Sequence, residues 1–443
     1  MKVLMIAYEF PPTAAGGVMR TVKFCKYLPE LGWEPHVLTP KCSTVTSRDP
    51  SMLVELGHRT QVHRTRGLEY ERILARMKNA SWGGRIGRAL EWRLRGMLDG
   101  AAVPDTKSYW AIPAVMRGIS IVRSQGVDLL YSTSWPFSDH LAGLALHRWT
   151  HRPWIADFRD PWLQHYNYGA RSERHDRWNR RLETQICRRA SFVVSATALA
   201  NAAMQRDHPD LPRDKFITIG NGYDHADFDG DVRPDDDFSI VYCGTFYGSR
   251  NPAGFFAGVD RFLEQRPEAE SHLRITCMGT QLDGAFDPPA TKARCKFLPW
   301  TSHEQCLRRL RAARVLLLIQ HVEPQVQLTV PGKLYEYMAS GVHILSLNTQ
   351  PGENEGLLRQ YGHATILPGD NPQAVAAGLE GLYERYVQGK LLPVAQTPFV
   401  KRFTRRAATE QLAALFDAAL HPDRADVRAA AAGRDEEVVA CAY

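Results

Sequence analysis

The sequence predicts an α/β protein of two doubly wound parallel-sheet domains facing a cleft. Three observations carry this expectation. Short apolar runs alternate with helix-period stretches; an acidic, Pro-containing break interrupts them near residues 224–237; a second set of similar size then begins. A length of 443 residues allows two or three domains.

The opening is a βαβ unit. Val3 to Ala7 is an apolar strand and a Pro/Gly loop runs through Gly17. An amphipathic helix then extends to Leu31 with Gly32 as its stop, and Pro35 to Leu38 is the next strand. Continuous apolar runs suit strands covered on both faces. Asp128 to Ser132, Trp154 to Asp157 and Phe192 to Ser195 follow, the last succeeded by a helix and by Lys215 to Ile219. Asp224 to Asp237 reads as an interdomain linker. Beyond it, strands are expected at Ser239 to Cys243, Leu273 to Met278, Val315 to Ile319 and His343 to Leu347. Helices are expected at Pro252 to Glu264, Glu304 to Ala312 and Lys333 to Ala339. The implied domains are Rossmann-like and span 1–230 and 235–400. A helix over 401–420 docks through Leu412, Leu415, Phe416 and Leu420, and a mobile tail covers 421–443.

Composition excludes disordered and fibrous classes: hydrophobic residues make up 44%, aromatics 10% and charged residues 23%. Lys and Arg number 55 against 48 acidic residues, a net charge of +7. No two of the eight cysteines have the two-residue spacing of a zinc or redox motif, so neither a metal nor a disulfide framework is expected. The apolar start is too short for a signal segment and no run approaches the ~20 residues that span a bilayer. A cytoplasmic protein with reduced thiols is the expectation.

Gly16-Gly17 lies where a strand hands over to a helix. It is either a tight turn or a place where backbone amides and a helix N-terminus approach a phosphate. There is no G-x-G-x-x-G and no Walker sequence, against dinucleotide and P-loop chemistry. The block Val330 to Gly341 opens a helix with Pro331 and Gly332. Its first-turn N–H groups and Lys333 offer positive potential to a diphosphate, and Glu336, a turn on, suits a ribose diol. The alternative is an amphipathic helix whose Lys and Glu are solvated. Asp157, Arg159 and Asp160 either orient a reacting hydroxyl or form an ion pair that fixes their loop. His140 reads more readily as a helix-surface or half-buried histidine than as a catalytic one, and Asp235-Asp236-Asp237 as a solvated charge run rather than a metal site.

In order and spacing, several motifs together resemble retaining glycosyltransferases of the GT-B fold, in particular glycosyltransferase family 4. They are Tyr8-Glu9-Phe10-Pro11-Pro12 with Gly16-Gly17, Ser134 to His140, Trp154 to Trp162, Asn221-Gly222-Tyr223-Asp224, Tyr242 to Phe246, and the Pro331 to Gly341 block. The resemblance implies a nucleotide-sugar donor, with UDP or GDP as the nucleotide, on the C-terminal domain. The N-terminal domain would take the acceptor. By the same resemblance Glu336 grips the donor ribose, Arg250 meets the diphosphate with Lys333 as a second candidate, and Gly16-Gly17 approaches it. No metal and no cofactor beyond the donor is implied.

Two departures stand out. The family often carries a second Glu eight positions before Glu336, where this chain has Leu328, with Glu323 and Gln327 nearby. A His common after the strand Trp154 to Asp157 is replaced by Phe158-Arg159-Asp160. Residues 64–98 form a basic segment interleaved with apolar residues, in which Arg85, Arg88, Trp92 and Arg93 suit either an anionic membrane surface or a solvated helical face. Nucleic acid is not an expected partner, since no recognised binding signature accompanies the charge. The expected function is sugar transfer, with retention, to a growing cell-surface glycan or lipid-linked acceptor. A sugar-nucleotide epimerase, a phosphorylase or a non-catalytic sugar-nucleotide binder is the alternative.

Overall fold

The computed structural model describes residues 1–14, 16–41, 48–56, 59–66, 102–165, 168, 172–246, 250–279, 295–299, 302–320, 323–348 and 350–423. The chain divides into two compact units: Met1–Gly220 together with the chain from Ala408, and Asn221–Ala407. The basic segment with Arg85, Arg88, Trp92 and Arg93, and the tail after 423, lie outside the described residues apart from 64–66.

The first unit holds a seven-stranded, wholly parallel sheet in the order β3-β2-β1-β4-β5-β6-β7. The strands are β1 (Lys2–Ile6), β2 (Glu34–Pro40), β3 (Gln61–Thr65), β4 (Leu129–Thr133), β5 (Trp154–Arg159), β6 (Phe192–Ser195) and β7 (Phe216–Thr218). Its helices are α1 (Val18–Tyr27), α2 (Ser108–Gln125), α3 (Ser138–Thr150), α4 (Glu173–Arg189) and α5 (Ala198–Asp207). Along β1 the side chains alternate between two cores. Val3 and Met5 face α1, while Leu4 and Ile6 face α2, α3 and α4. A strand covered on both faces must be apolar at every position, which is why Val3 to Ala7 reads as an unbroken run. Val3 pairs with Pro35 on one side and Leu129 on the other. The chain winds outward from β1 through β2 and returns on its other flank at β4, which makes the β1/β4 boundary the topological switch point.

The second unit repeats the plan with six parallel strands in the order β10-β9-β8-β11-β12-β13. They are β8 (Phe238–Cys243), β9 (Leu273–Met278), β10 (Cys295–Leu298), β11 (Val315–Ile319), β12 (His343–Asn348) and β13 (Ala364–Pro368). Helices α6 (Ala253–Gln265), α7 (His303–Ala312), α8 (Gly332–Ser340), α9 (Glu353–Tyr361), α10 (Pro372–Val387) and α11 (Pro398–Lys401) cover it. Phe238, Ile240 and Tyr242 join the core under α6 and α10, while Val241 and Cys243 join the one under α7, α8 and α9.

Two sequence expectations need correction. The first unit closes at Gly220 and not at 230. The acidic stretch 224–237 is no free linker, because the second unit binds it. Asp224 caps a short helix at His225–Phe228. Asp235 pairs with Arg309 and its carbonyl accepts a hydrogen bond from Arg314, Asp236 pairs with Arg233, and Asp237 lies 3.5 Å from Arg274. The Asp run is thus a solvent-facing charge run whose members also form ion pairs, Asp236 remaining exposed. The last helix, α12 (Arg405–Leu420), belongs from Ala408 onward to the first unit, where Phe416 packs 5.0 Å from Trp33 and 6.0 Å from Tyr131.

Candidate functional site

In the first unit the chemistry gathers at the carboxyl ends of β1, β4 and β5. Asp157, the deepest member, is fully buried and paired. Arg20 on α1 donates to it through Nε at 2.8 Å and Nη2 at 3.3 Å, the Tyr131 hydroxyl donates to it, and so does the Arg159 backbone N–H at 3.1 Å. Burial alone would lower the Arg20 pKa, but Asp157 and Tyr131 hold it above its ordinary value. The geometry thus gives Asp157 the ion-pair task, with Arg20 and not Arg159 as partner.

Arg159 takes a positive φ of 50° where the β5–β6 register shifts. Its Nε donates to Asp160 at 3.2 Å. The same guanidinium lies against Gly17: a Cβ there would fall 1.5 Å from Nη1. Gly17, the N-cap of α1, has an ordinary helical φ of −82°, so it is the neighbour and not the backbone that demands glycine. Gly16 is exposed, and a Cβ built on it meets nothing within 4 Å.

Three residues that the sequence did not single out join this cluster. Burial raises the Glu9 pKa against the opposing charges of Arg159 and Lys107. His165 is lowered by burial, with Asp160 opposing and Arg159 adding to the effect. It lies five residues beyond Asp160 on one loop, and that shared loop was the signal available. Asp139 is fully buried and accepts the Tyr8 N–H at 2.8 Å. Burial drives its carboxyl well above the usual range, the Tyr8 N–H opposing and Asp105 and Glu9 adding. His140 is an internal residue: Nδ1 meets Ser132 Oγ at 2.8 Å, and burial lowers its pKa to about 3. It is neutral at ordinary pH, and it is fully buried, not at the helix surface or half-buried as the sequence suggested.

In the second unit α8 begins beside the carboxyl end of β8, again at a switch point, here between β8 and β11. Tyr337 fixes its position: the hydroxyl accepts the Cys243 N–H at 3.1 Å and donates to the Leu317 carbonyl at 3.3 Å. One turn earlier Lys333 donates to the Cys243 carbonyl at 3.0 Å and lies 4.0 Å from the centre of the Tyr242 ring. Gly244, at φ 139°, lets the strand end turn away beneath it. Burial, reinforced by the Arg250 charge, pushes the Lys333 ammonium well below its ordinary pKa. Gly332 is exposed with open space where a Cβ would be, and Pro331 gives the helix no side-chain cap. Glu336, one turn further, receives His303 of α7 at 3.0 Å. His303 was missed because its partner lies thirty-three residues away. Arg250, Lys333 and the start of α8 therefore form one cationic corner, with Glu336 further along α8 and paired to His303 of α7.

Among the described residues there is no cluster of three or more metal-ligating side chains, and no helix long and apolar enough to cross a membrane. No curated protein matches the sequence. Residues 14–227 match the family model of Glycosyltransferase Family 4. A glycosyltransferase from Rickettsia africae has a similar structure, with TM-score 0.65 and 11% identity over 95% of this chain and 98% of that one. HepE of Anabaena, solved in complex with UDP-glucose, gives 0.63 and 13% over 94% and 100%. A putative UDP-N-acetylglucosamine 2-epimerase from Listeria monocytogenes gives 0.55 and 12% over 95% and 97%. The two Rossmann-like parallel-sheet units are those of the GT-B fold, and the family 4 similarity covers most of the first of them.

Proposed function

We propose that the protein is a glycosyltransferase that moves one sugar, with retention, from a UDP- or GDP-sugar to a glycan or lipid-linked acceptor in cell-surface polysaccharide synthesis. The observation that carries this is the start of α8. A partly desolvated ammonium, the Arg250 guanidinium and an uncapped helix N-terminus converge there, and Glu336 follows one turn later. Similarity to HepE, solved with UDP-glucose, supports a nucleotide sugar as the ligand.

Retaining transfer needs the departing diphosphate neutralised while an oxocarbenium-like sugar forms. Lys333, Arg250 and the α8 N-terminus suit that task, and Glu336 suits the ribose diol. An acceptor that attacks from the leaving-group face gives its proton to the departing phosphate, so no protein nucleophile is required. Arg159 and Asp160 in the first unit, with Gly16 and Gly17 beside them, are the residues assigned to the acceptor and diphosphate side. We place the reaction in the cytoplasm, with residues 64–98 meeting the inner membrane face, and assign it no metal or cofactor beyond the donor.

A panel of UDP-, GDP-, ADP- and dTDP-sugars scored by thermal shift tests the donor site. A ligand at 100 times its Kd stabilises the native state by about 2.7 kcal/mol. One donor class should stabilise the wild type and not Glu336→Ala. Absence of any shift in well-folded protein rejects the reading. Likeness to the Listeria epimerase keeps a second reaction in view, and it has its own signature: a C2-epimerised sugar nucleotide formed with no acceptor present.

A further inference from the structure

We infer that Trp135 is the platform of a binding site for a sugar ring on the first unit, at the carboxyl ends of β1, β4 and β5. Only the role of that sugar as acceptor rests on the glycosyltransferase reading; the binding stands on the geometry of the first unit.

Trp135 is exposed (50%), while its neighbours Phe137 and Trp162 are buried. Its ring meets Phe137 edge-on at 5.3 Å, and Phe137 stacks on Trp162 at 4.8 Å with 7° between the planes. The loop that carries it is anchored on both sides. The Ser134 N–H donates to the Asp157 carbonyl at 3.0 Å and its hydroxyl to the Phe158 carbonyl. The Ser138 N–H and hydroxyl donate to the Asp105 carboxylate at 3.0 and 2.6 Å. The indole is thus presented on a fixed backbone and supported from behind by two stacked rings.

A single exposed apolar side chain needs no explanation by itself. Place and company distinguish this one. Trp135 follows β4, the strand that flanks β1 across the topological switch point, where the loops of an open parallel sheet diverge and leave a crevice. On the strands that flank β4, the loop after β1 carries Glu9, and Asp160 follows Arg159, the last residue of β5. Tyr8, next to Glu9, is tied by its N–H to Asp139 at the start of α3, four residues from Trp135. Charged groups able to bind hydroxyls are therefore carried on the strand ends that flank the one bearing the exposed indole.

That combination fits a pyranose. One face of the ring is lined by C–H groups that pack on an indole, while its rim carries hydroxyls that donate to carboxylates and accept from a guanidinium. An acyl chain would use the indole and gain nothing from the charged groups on the neighbouring strand ends. A sugar ring uses both.

The test is saturation-transfer NMR on the full chain, with methyl glycosides of glucose, galactose, mannose, rhamnose and N-acetylglucosamine, their disaccharides, and uridine as the competing stacker. The ring C–H protons of at least one glycoside should receive saturation. Its affinity should fall about tenfold or more in Trp135→Ala and less in Trp135→Phe. Trp149→Ala, which removes another exposed indole of the same unit, should leave it unchanged. The inference is overturned if no glycoside binds, if Trp135→Ala binds as the wild type does, or if uridine and not the glycosides saturates through Trp135. Trp135→Phe keeps the aromatic packing and guards against loss through misfolding. The donor panel is read separately. A donor shift without glycoside binding overturns this inference alone, and glycoside binding without a donor shift overturns the transferase reading alone.

Discussion

A carboxylate at the end of a parallel strand invites a catalytic reading, and the sequence offered Asp157 for that role. Its surroundings favour another. Arg20, itself fully buried, spends two nitrogens on Asp157 and a third on the Gly220 carbonyl at 3.0 Å. Asp157→Asn leaves that guanidinium uncompensated in the interior, so a loss of about 3–5 kcal/mol is expected in denaturant unfolding, with activity falling in step with the folded fraction. A fully stable Asp157→Asn with no turnover would restore the catalytic reading. Gly17 makes the opposite case. An alanine there must displace the Arg159 guanidinium, the free end of a long side chain, so the stability change should stay under about 1 kcal/mol. If the glycine serves to seat Arg159, Gly17→Ala and Arg159→Ala should lower turnover alike and the double variant no further; additive losses would show two separate roles. The spacing of Gly17 to the strand end was visible in the sequence. Its contact with a residue 142 positions away was not, because only the sheet order brings the first and fifth strands within reach.

Elements were legible in proportion to their burial. The central strands stand out as apolar runs because helices cover both faces, and Val315–Ile319 and Phe192–Ser195 occupy the positions their sequences indicate. The three strands without a sequence signal, β3, β10 and β13, are all edges. Gln61–Thr65, Cys295–Leu298 and Ala364–Pro368 are largely half-exposed or exposed, so their composition need not be apolar and no period separates them from loop. Helix α8 was legible for a different reason, its Pro-Gly start, but the pocket of strand ends that receives Lys333 was not. That pocket gives the element a testable property. Burial holds the Lys333 ammonium below its ordinary pKa, so the free protein binds fewer protons there than an exposed lysine would. An arriving diphosphate favours the charged form, so binding takes up protons at any pH where the free ammonium is partly deprotonated. Calorimetry of UDP binding in buffers of differing ionisation enthalpy should show net uptake, and Lys333→Met should abolish it. Equal heats in all buffers would mean Lys333 is charged before the nucleotide arrives.

At the scale of the molecule, the two units answer to different perturbations. The sequence marked Leu412, Leu415 and Phe416 as a docking face without showing where it docks; the fold returns α12 to the first unit and completes the core on the α1 side of its sheet. Phe416→Ala removes a fully buried ring from contact with Trp33 and Tyr131, a loss of about 3–5 kcal/mol that belongs to the first unit. Acid acts on both. His140 in the first unit and His343 in the second are buried, and burial sets each near a pKa of about 3, with the charges of His363 and Arg385 contributing at His343. Each is neutral when folded, whereas the unfolded chain takes a proton near 6.5. The stability each contributes is complete above pH 6.5 and is lost as pH falls from there toward 3, by about 2 kcal/mol per histidine at pH 5. Scanning calorimetry from pH 7 to pH 5 should therefore lower the melting of both units, while Phe416→Ala at pH 7 lowers that of the first alone. His140→Asn should flatten the acid dependence of the first unit and leave that of the second intact. Acid sensitivity that survives unchanged in His140→Asn would assign it to other groups, the depressed His36 and His63 pair between β2 and β3 first among them.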